Sequence, residues 1–187
     1  MKDLIRCSWC TKTDNMREYH DTEWGIPVHD DRKHFEFIVL DSFQAGLSWQ
    51  TILNRRAGFR NAFAGFDPKK VAKFTDDHVA MLMEDEGIIR NRLKITGTIK
   101  NARAFLEIQK EYGTFDAYIW QFTGGKTLDG KRKSTSEIPA STPESDEMSK
   151  ALKKRGFTFV GTTICYAYMQ AAGMVNDHVK DCFLKKK

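Results

Sequence analysis

Apolar residues in this chain recur at helical spacing almost throughout, and no period-two alternation lasts beyond four or five residues. That pattern predicts an all-α bundle. Phe35, Ile38, Val39 and Ser42 share one face of a helix over 34–43. Trp49, Ile52, Leu53, Arg56, Phe59 and Phe63 form the stripe of a second, capped by Ser48. Asp67 before Pro68 opens a short helix through Phe74, and Thr75 caps the next, with Val79, Leu82 and Met83 inward. A longer helix is expected from Asn91 to Tyr112, stopped at Gly113. Ser141-Thr142-Pro143-Glu144 has capping-box spacing and starts a helix that ends at Lys154-Arg155-Gly156.

The length of 187 residues suits a single domain over 1–187, built as two helical lobes sharing one core. A composition 41% hydrophobic and 29% charged excludes a disordered or fibrous chain. Four cysteines are too few for a disulfide scaffold, and the N-terminal residues lack the apolar run of a signal peptide. A cytoplasmic protein with reduced thiols is therefore expected. The 19 uncharged residues Phe157 to Val175 approach the length of a membrane span. Thr158, Gly161, Thr162, Thr163, Gln170 and Gly173 make them too polar for one, so they read as a turn followed by a buried helix. The segment 123–142, with Gly124, Gly125, Gly130 and the cluster Lys131-Arg132-Lys133, reads as an exposed, flexible basic loop. Residues 184–187 read as a disordered, solvated tail.

Three constellations could carry chemistry. Cys7 and His20 lie near one end of the chain, and His178 and Cys182 lie four apart near the other. Thiolates and imidazoles are the ligands of tetrahedral structural zinc, and such a site would clip the two termini together. Spacing alone leaves open ordinary core cysteines and surface histidines. Cys10 also forms a C-x-x-C with Cys7, which could be a redox pair or a replacement ligand. The run from Leu152 to Ile164 reads as helix, glycine turn, helix. Gly156 and Gly161 permit close backbone approach, and free amides at 160–163 open the second helix beside Lys153, Lys154 and Arg155. That is a phosphate site or a plain helical hairpin. Finally, Trp9, Tyr19, Trp24 and Trp49 cluster in the first 49 residues alongside Asp41 and Gln44. Aromatic faces can sandwich a planar base, cationic ones best, or can simply fill a core. Asp41 follows the apolar run Ile38-Val39-Leu40, where an unpaired buried carboxylate would be costly.

From about Arg6 to Cys182 the chain resembles the DNA-3-methyladenine glycosylase I family of helix-hairpin-helix DNA glycosylases. The resemblance rests on Cys7-Ser-Trp9, Tyr19-His-Asp-Thr-Glu-Trp-Gly25, Phe43-Gln-Ala-Gly-Leu-Ser-Trp49 and Gly87-Ile-Ile-Arg90. It continues through Lys150 to Tyr166 and closes with Val175-Asn-Asp-His178 and Cys182. It implies one structural zinc held by Cys7, His20, His178 and Cys182, with Cys10 an extra thiol. It also implies a base pocket of Trp9, Met16, Trp24, Gln44 and Trp49, in which Tyr19 and Asp41 act on the flipped base and Trp49 stacks on it. Gly46 and Leu47 would press into the duplex, while Lys154, Arg155, Gly156, Gly161, Thr162 and Thr163 would hold phosphates. Three positions depart from the family pattern. Asp41 stands where Glu is usual, Met16 where an aromatic is frequent, and Ala167 where Ser is frequent.

The activity implied is monofunctional hydrolytic excision of 3-methyladenine from alkylated double-stranded DNA by a monomer. Methylation at N3 makes the base cationic and its glycosidic bond weak, so flipping and recognition are the main tasks. Asp41 would act by recognition and electrostatic stabilisation. Asp177, beside the ligand His178, reads as a supporting or capping residue rather than the attacking-water base of related glycosylases. Two other classes stand beside this one: a zinc-stabilised DNA-binding module without catalysis, and a bifunctional glycosylase/lyase. A lyase needs a nucleophilic lysine, and the 19–49 region offers only Lys33.

Overall fold

The computed structural model describes residues 4–185. Asp14–Thr22 forms α1 and Asp31–Gln44 forms α2. The helix α2 is the axis of the fold. Every residue from His34 to Phe43 is buried, so it packs on all sides rather than along one stripe. Its N-cap Asp30 accepts the Lys33 amide. Asp31 reaches across to accept the amides of Phe115 and Asp116 at 2.8 and 2.9 Å, joining α2 to a later helix start.

The helix expected from Ser48 to Phe63 is two, α3 (Trp49–Asn54) and α4 (Arg56–Ala62), broken at Arg55. The break lets Gly58 lie against the Gly87 backbone, where a Cβ would meet the Gly87 carbonyl oxygen at 2.1 Å. It also aims Arg56 at Glu23 and Glu36, which it pairs at 2.6 and 2.8 Å. Next come α5 (Pro68–Val71), α6 (Asp76–Glu84) and the long α7 (Arg92–Tyr112). Asn91 caps α7 and Gly113 ends it at φ +84°, as the sequence predicts. After α8 (Phe115–Ile119), the last two helices are α9 (Pro143–Lys154) and α10 (Thr162–Ala171). The capping box of α9 is Thr142 with Ser145, one residue later than the sequence spacing suggests. One apolar core runs from Cys7 to Cys182 through all of these helices. The fold is all-α, and among the described residues no helix is long and apolar enough to cross a membrane.

The segment 123–142 departs from the sequence reading. Leu128–Asp129 (β1) pairs in parallel with Val175–Asn176 (β2), and Leu128 and Ile138 pack on the core. Arg132 donates to buried Asp177 at 2.9 Å, so only part of the basic cluster, Lys131 and Lys133, is exposed. Backbone bonds to Met174, Asn176 and Lys180, with the Arg132–Asp177 ion pair, fix what glycine content alone marks as loose. The C-terminal end departs as well. Leu184 packs against the core and the Lys185 ammonium bonds Asp129, while Lys186 and Lys187 lie outside the described residues.

Candidate active site

Tyr19 from α1, Asp41 and Gln44 from α2, and Trp49 at the first position of α3 converge on one pocket of about 280 Å³. Trp9, Met16 and Trp24 complete the wall, so all seven expected pocket residues meet. The rings form one aromatic set. Trp9 stands edge-on to Trp24 at 5.0 Å, and Tyr19 is tilted against Trp49 at 5.2 Å. Burial and the neighbouring Asp41 and Glu23 hold the Tyr19 phenol well above its ordinary pKa, so it remains a donor.

Polar groups in this pocket are left without protein partners. Asp41 is buried, and its Oδ2 accepts no hydrogen bond. Burial pushes its carboxyl well above the usual range. The indole N–H groups of Trp9 and Trp49 are likewise buried and unpaired. Among the described residues, these three atoms are the buried side-chain polar atoms without a partner, and all three belong to pocket walls. Leaving each unsatisfied costs about 1–3 kcal/mol, so their convergence marks a cavity shaped for a polar, planar occupant.

Behind Trp24 lies the Cys/His cluster. Cys7, His20, His178 and Cys182 are all buried, and their ligand atoms lie within 4.8 Å of one another. Cys182 Sγ is 3.5 Å from both His20 Nε2 and His178 Nδ1, and Cys7 Sγ is 3.7 Å from His178 Nδ1. Tetrahedral zinc, with bonds of about 2.0–2.3 Å, has ligand–ligand edges of roughly 3.4–3.8 Å, so the donor set fits such an ion. The imidazoles are oriented from behind. His20 Nδ1 donates to Asp21 at 2.8 Å and His178 Nε2 donates to the Trp24 carbonyl at 3.1 Å, turning the other nitrogens inward. Burial, with His20 beside it, pulls His178 down to about 4. Burial pushes the Cys7 thiol up to about 12, and a bound cation would reverse that shift. Cys10 faces elsewhere, donating to the Cys7 carbonyl.

The remaining candidates occupy two surface features. Gly46 (φ +80°) and Leu47, 40% exposed, form a protruding turn just past α2. Buried Lys94 of α7 holds its base, donating to the carbonyls of Phe43 at 2.8 Å and Ala45 at 2.6 Å. The α9–α10 turn runs through Gly156 (φ +90°) to Gly161, and Gly161 supplies no side-chain cap to the α10 amides. Ser149 donates to the Val160 carbonyl at 2.7 Å, which fixes the turn. Thr162 is tied to Ser145 at 2.9 Å, while Thr163 and Lys154 are exposed. Arg155 is committed elsewhere. It pairs with Glu111 at 2.7 and 3.0 Å and lies over the Tyr118 ring at 4.7 Å.

A family model for methyladenine glycosylases matches residues 9–185. The chain is 49% identical over 179 residues to DNA-3-methyladenine glycosylase 1 of Escherichia coli (strain K12), covering 96% of each. The chain belongs to the methyladenine glycosylase family. Members of this family are glycosylase enzymes, and the present chain is one of them. A crystal structure of 3-methyladenine DNA glycosylase I superposes on it with a TM-score of 0.93 at 47% identity, covering 96% of this chain and 98% of that one. A tyrosine-to-phenylalanine variant of 3-methyladenine DNA glycosylase I, in complex with 3-methyladenine, gives a TM-score of 0.94 at 34% identity, covering 97% and 98%.

Ala167, one of the three departures from the family pattern, lines the methyladenine glycosylase pocket, and two further lining residues, Ile138 and Gln170, had no place in the sequence reading of the site. Ile138 comes from the segment read as an exposed loop, and nothing local signals its inward turn. Ala167 and Gln170 lie one turn apart on α10. Gln170 is a polar residue in an otherwise apolar run, which is the one signal that marks it.

Proposed function

We propose that this glycosylase takes 3-methyladenine out of alkylated duplex DNA and hydrolyses its glycosidic bond without lyase chemistry. The observation that carries the reading is the trio of unpartnered atoms in one aromatic pocket, Asp41 Oδ2 with the Trp9 and Trp49 N–H groups. An adenine edge offers an amino donor beside a ring-nitrogen acceptor, which matches a carboxylate oxygen beside indole donors. A base methylated at N3 is also cationic, which suits aromatic faces and a single carboxylate. As water adds to the sugar, the electron pair of the broken bond returns to the base, which leaves neutral. The pocket's task is therefore to select and hold the cation while the weak bond breaks. Asp177 supports the same division of labour, because it is fully buried against Arg132, Tyr166 and Gln170 and lines no part of the pocket.

The monofunctional reading rests on lysine placement. No lysine lines the pocket, and Lys33 is bonded to Glu23 at 2.7 Å and Glu36 at 3.2 Å. We further propose that Cys7, His20, His178 and Cys182 hold one structural zinc and that a cytoplasmic monomer grips duplex phosphates through the α9–α10 turn, with Leu47 as the wedge. The test is single-turnover base release from methylated duplex DNA, resolving 3-methyladenine from 7-methylguanine. Preferential release of 3-methyladenine, with no borohydride-trapped adduct on abasic DNA, is expected. Binding without base release would assign the chain to the DNA-binding modules instead.

A further inference from the structure

The pocket holds a second amide besides Gln44, and it differs in being fixed. Gln170 Nε2 donates to Asp177 Oδ2 at 2.8 Å. A carboxylate only accepts, so the amide nitrogen must face Asp177 and the carbonyl oxygen must face away. Asp177 is itself immobilised. It is fully buried, it takes the Arg132 guanidinium on Oδ1 at 2.9 Å, and it takes the Tyr166 hydroxyl on Oδ2. Arg132 also donates to the Tyr166 oxygen at 3.1 Å, closing the network. Gly130 admits this packing, since a Cβ there would meet Asp177 Oδ1 at 1.9 Å. At the other end, the Gln170 backbone carbonyl accepts the Gly25 amide at 2.9 Å, holding it beside Trp24. Gln170 lines the pocket, and its Oε1 has no partner among the described residues and, unlike Asp41 Oδ2, is not fully buried. Gln44 has no comparable anchor and can rotate to present either end of its amide.

We infer that Gln170 is a specificity residue whose carbonyl oxygen, locked toward the pocket by the Arg132–Asp177 pair, accepts from the amino group at position 6 of the base. The inference rests on the excision reading above and sharpens it. Adenine carries a donor at position 6 and guanine carries an acceptor. A fixed acceptor therefore favours 3-methyladenine and opposes 3-methylguanine, which has the same methyl group and a similar cationic ring. Arg132 and Asp177 act as positioning residues, since they touch the amide and not the base. A freely rotating glutamine would accommodate either base and give no such preference.

The experiment is single-turnover release from one preparation of methylated duplex DNA, with 3-methyladenine and 3-methylguanine resolved chromatographically. Wild type is compared with Gln170→Met, which keeps length and loses the acceptor. The ratio of 3-methyladenine to 3-methylguanine rates is expected to fall about tenfold, the size of one lost hydrogen bond. Gln170→Leu repeats the measurement should the methionine variant melt early. An unchanged ratio, or a parallel loss of both rates, would make Gln170 a packing residue and overturn the inference. Wild type that releases no 3-methyladenine would instead refute the excision reading itself, so the two failures are told apart by the wild-type lane.

Discussion

His178 and Trp24 are joined twice: the His178 ring donates to the Trp24 carbonyl at 3.1 Å and stands edge-on to its indole at 4.7 Å. One wall of the pocket is thus backed by a member of the Cys/His cluster. Gly25, next in the chain, approaches so closely that a Cβ would lie 3.1 Å from His178 Nε2. If the cluster holds the zinc proposed above, His178→Ala is expected to lose it and to cost more than the usual 0.5–3 kcal/mol of a point substitution. It should also weaken affinity for free 3-methyladenine, because Trp24 loses its backing. Metal analysis, melting curves and base titration on the same samples check this. Cys10→Ala should retain the metal, since its thiol faces the Cys7 carbonyl.

The pairing of Arg155 with Glu111 changes the expected salt dependence of DNA binding. Each lysine or arginine that neutralises a phosphate contributes about 0.9 to the slope of log affinity against log salt. Lys154 is exposed beside the α9–α10 turn, so Lys154→Ala should lower that slope by about 0.9. Arg155→Ala should leave the slope unchanged and lower the melting temperature, because it removes a bidentate pair and the stacking on Tyr112 and Tyr118. Titrations across a salt series separate the two. If the slope is unchanged from wild type in both variants, the exposed Lys131 and Lys133 become the next pair to substitute.

Lys94 closes the end of α2 through two carbonyls, immediately before the protruding Gly46–Leu47 turn. Helix C-termini leave carbonyls unpaired, and an ammonium supplies both charge and donors there. Lys94→Met should cost about 1.5–3 kcal/mol, the range for hydrogen bonds to a charged group. Its effect on function should be uneven. Free 3-methyladenine should bind nearly as in wild type, while excision from duplex DNA should fall, because the turn loses its rigid base. Equal losses in both assays would mean that Lys94 supports the pocket rather than the turn.

Much of this architecture was legible because it is local. Asn91 and Gly113 bracket α7 and Asp67-Pro68 opens α5, whereas Cys7, His20, His178 and Cys182, from opposite ends of the chain, were marked as one ligand set only by the family resemblance. What was illegible depends on distant partners. The break at Arg55 answers to Gly87 and to two glutamates on other elements. Arg132 reads as part of a basic surface run until Asp177, 45 residues later, is seen to take it. Ile138 reaches the pocket for the same reason, because the two-residue pairing of β1 with β2 carries its segment inward. The site was readable in its aromatic and carboxylate residues, whereas the residues that orient them are ordinary polar side chains.

Asp41 carries the most specific prediction. Its carboxyl is buried with one oxygen unpaired, and burial alone raises its pKa well above the ordinary value. A carboxyl raised on folding gives its full stability contribution below the ordinary carboxyl range and loses it as pH rises through the raised value. Asp41→Asn should therefore melt at or above wild type at neutral pH. Its activity should move the other way. The methylated base is cationic while still bonded to its sugar and favours the ionised carboxylate, so wild-type excision from methylated DNA below saturation should rise with pH toward the raised pKa and then level off. The Asn variant lacks the charge and offers a donor where an acceptor is needed. Losing a charge-assisted bond costs about 1.5–3 kcal/mol, or roughly ten- to a hundred-fold in excision below saturation, and the pH dependence should vanish with it. Asp41→Glu should be milder, since it keeps the charge and adds one methylene to a pocket with room for a base. Excision rates and melting curves for the three proteins across pH 5–9 test the set. A fully active Asn variant would remove Asp41 from recognition and leave Tyr19 and the aromatic stack to hold the base.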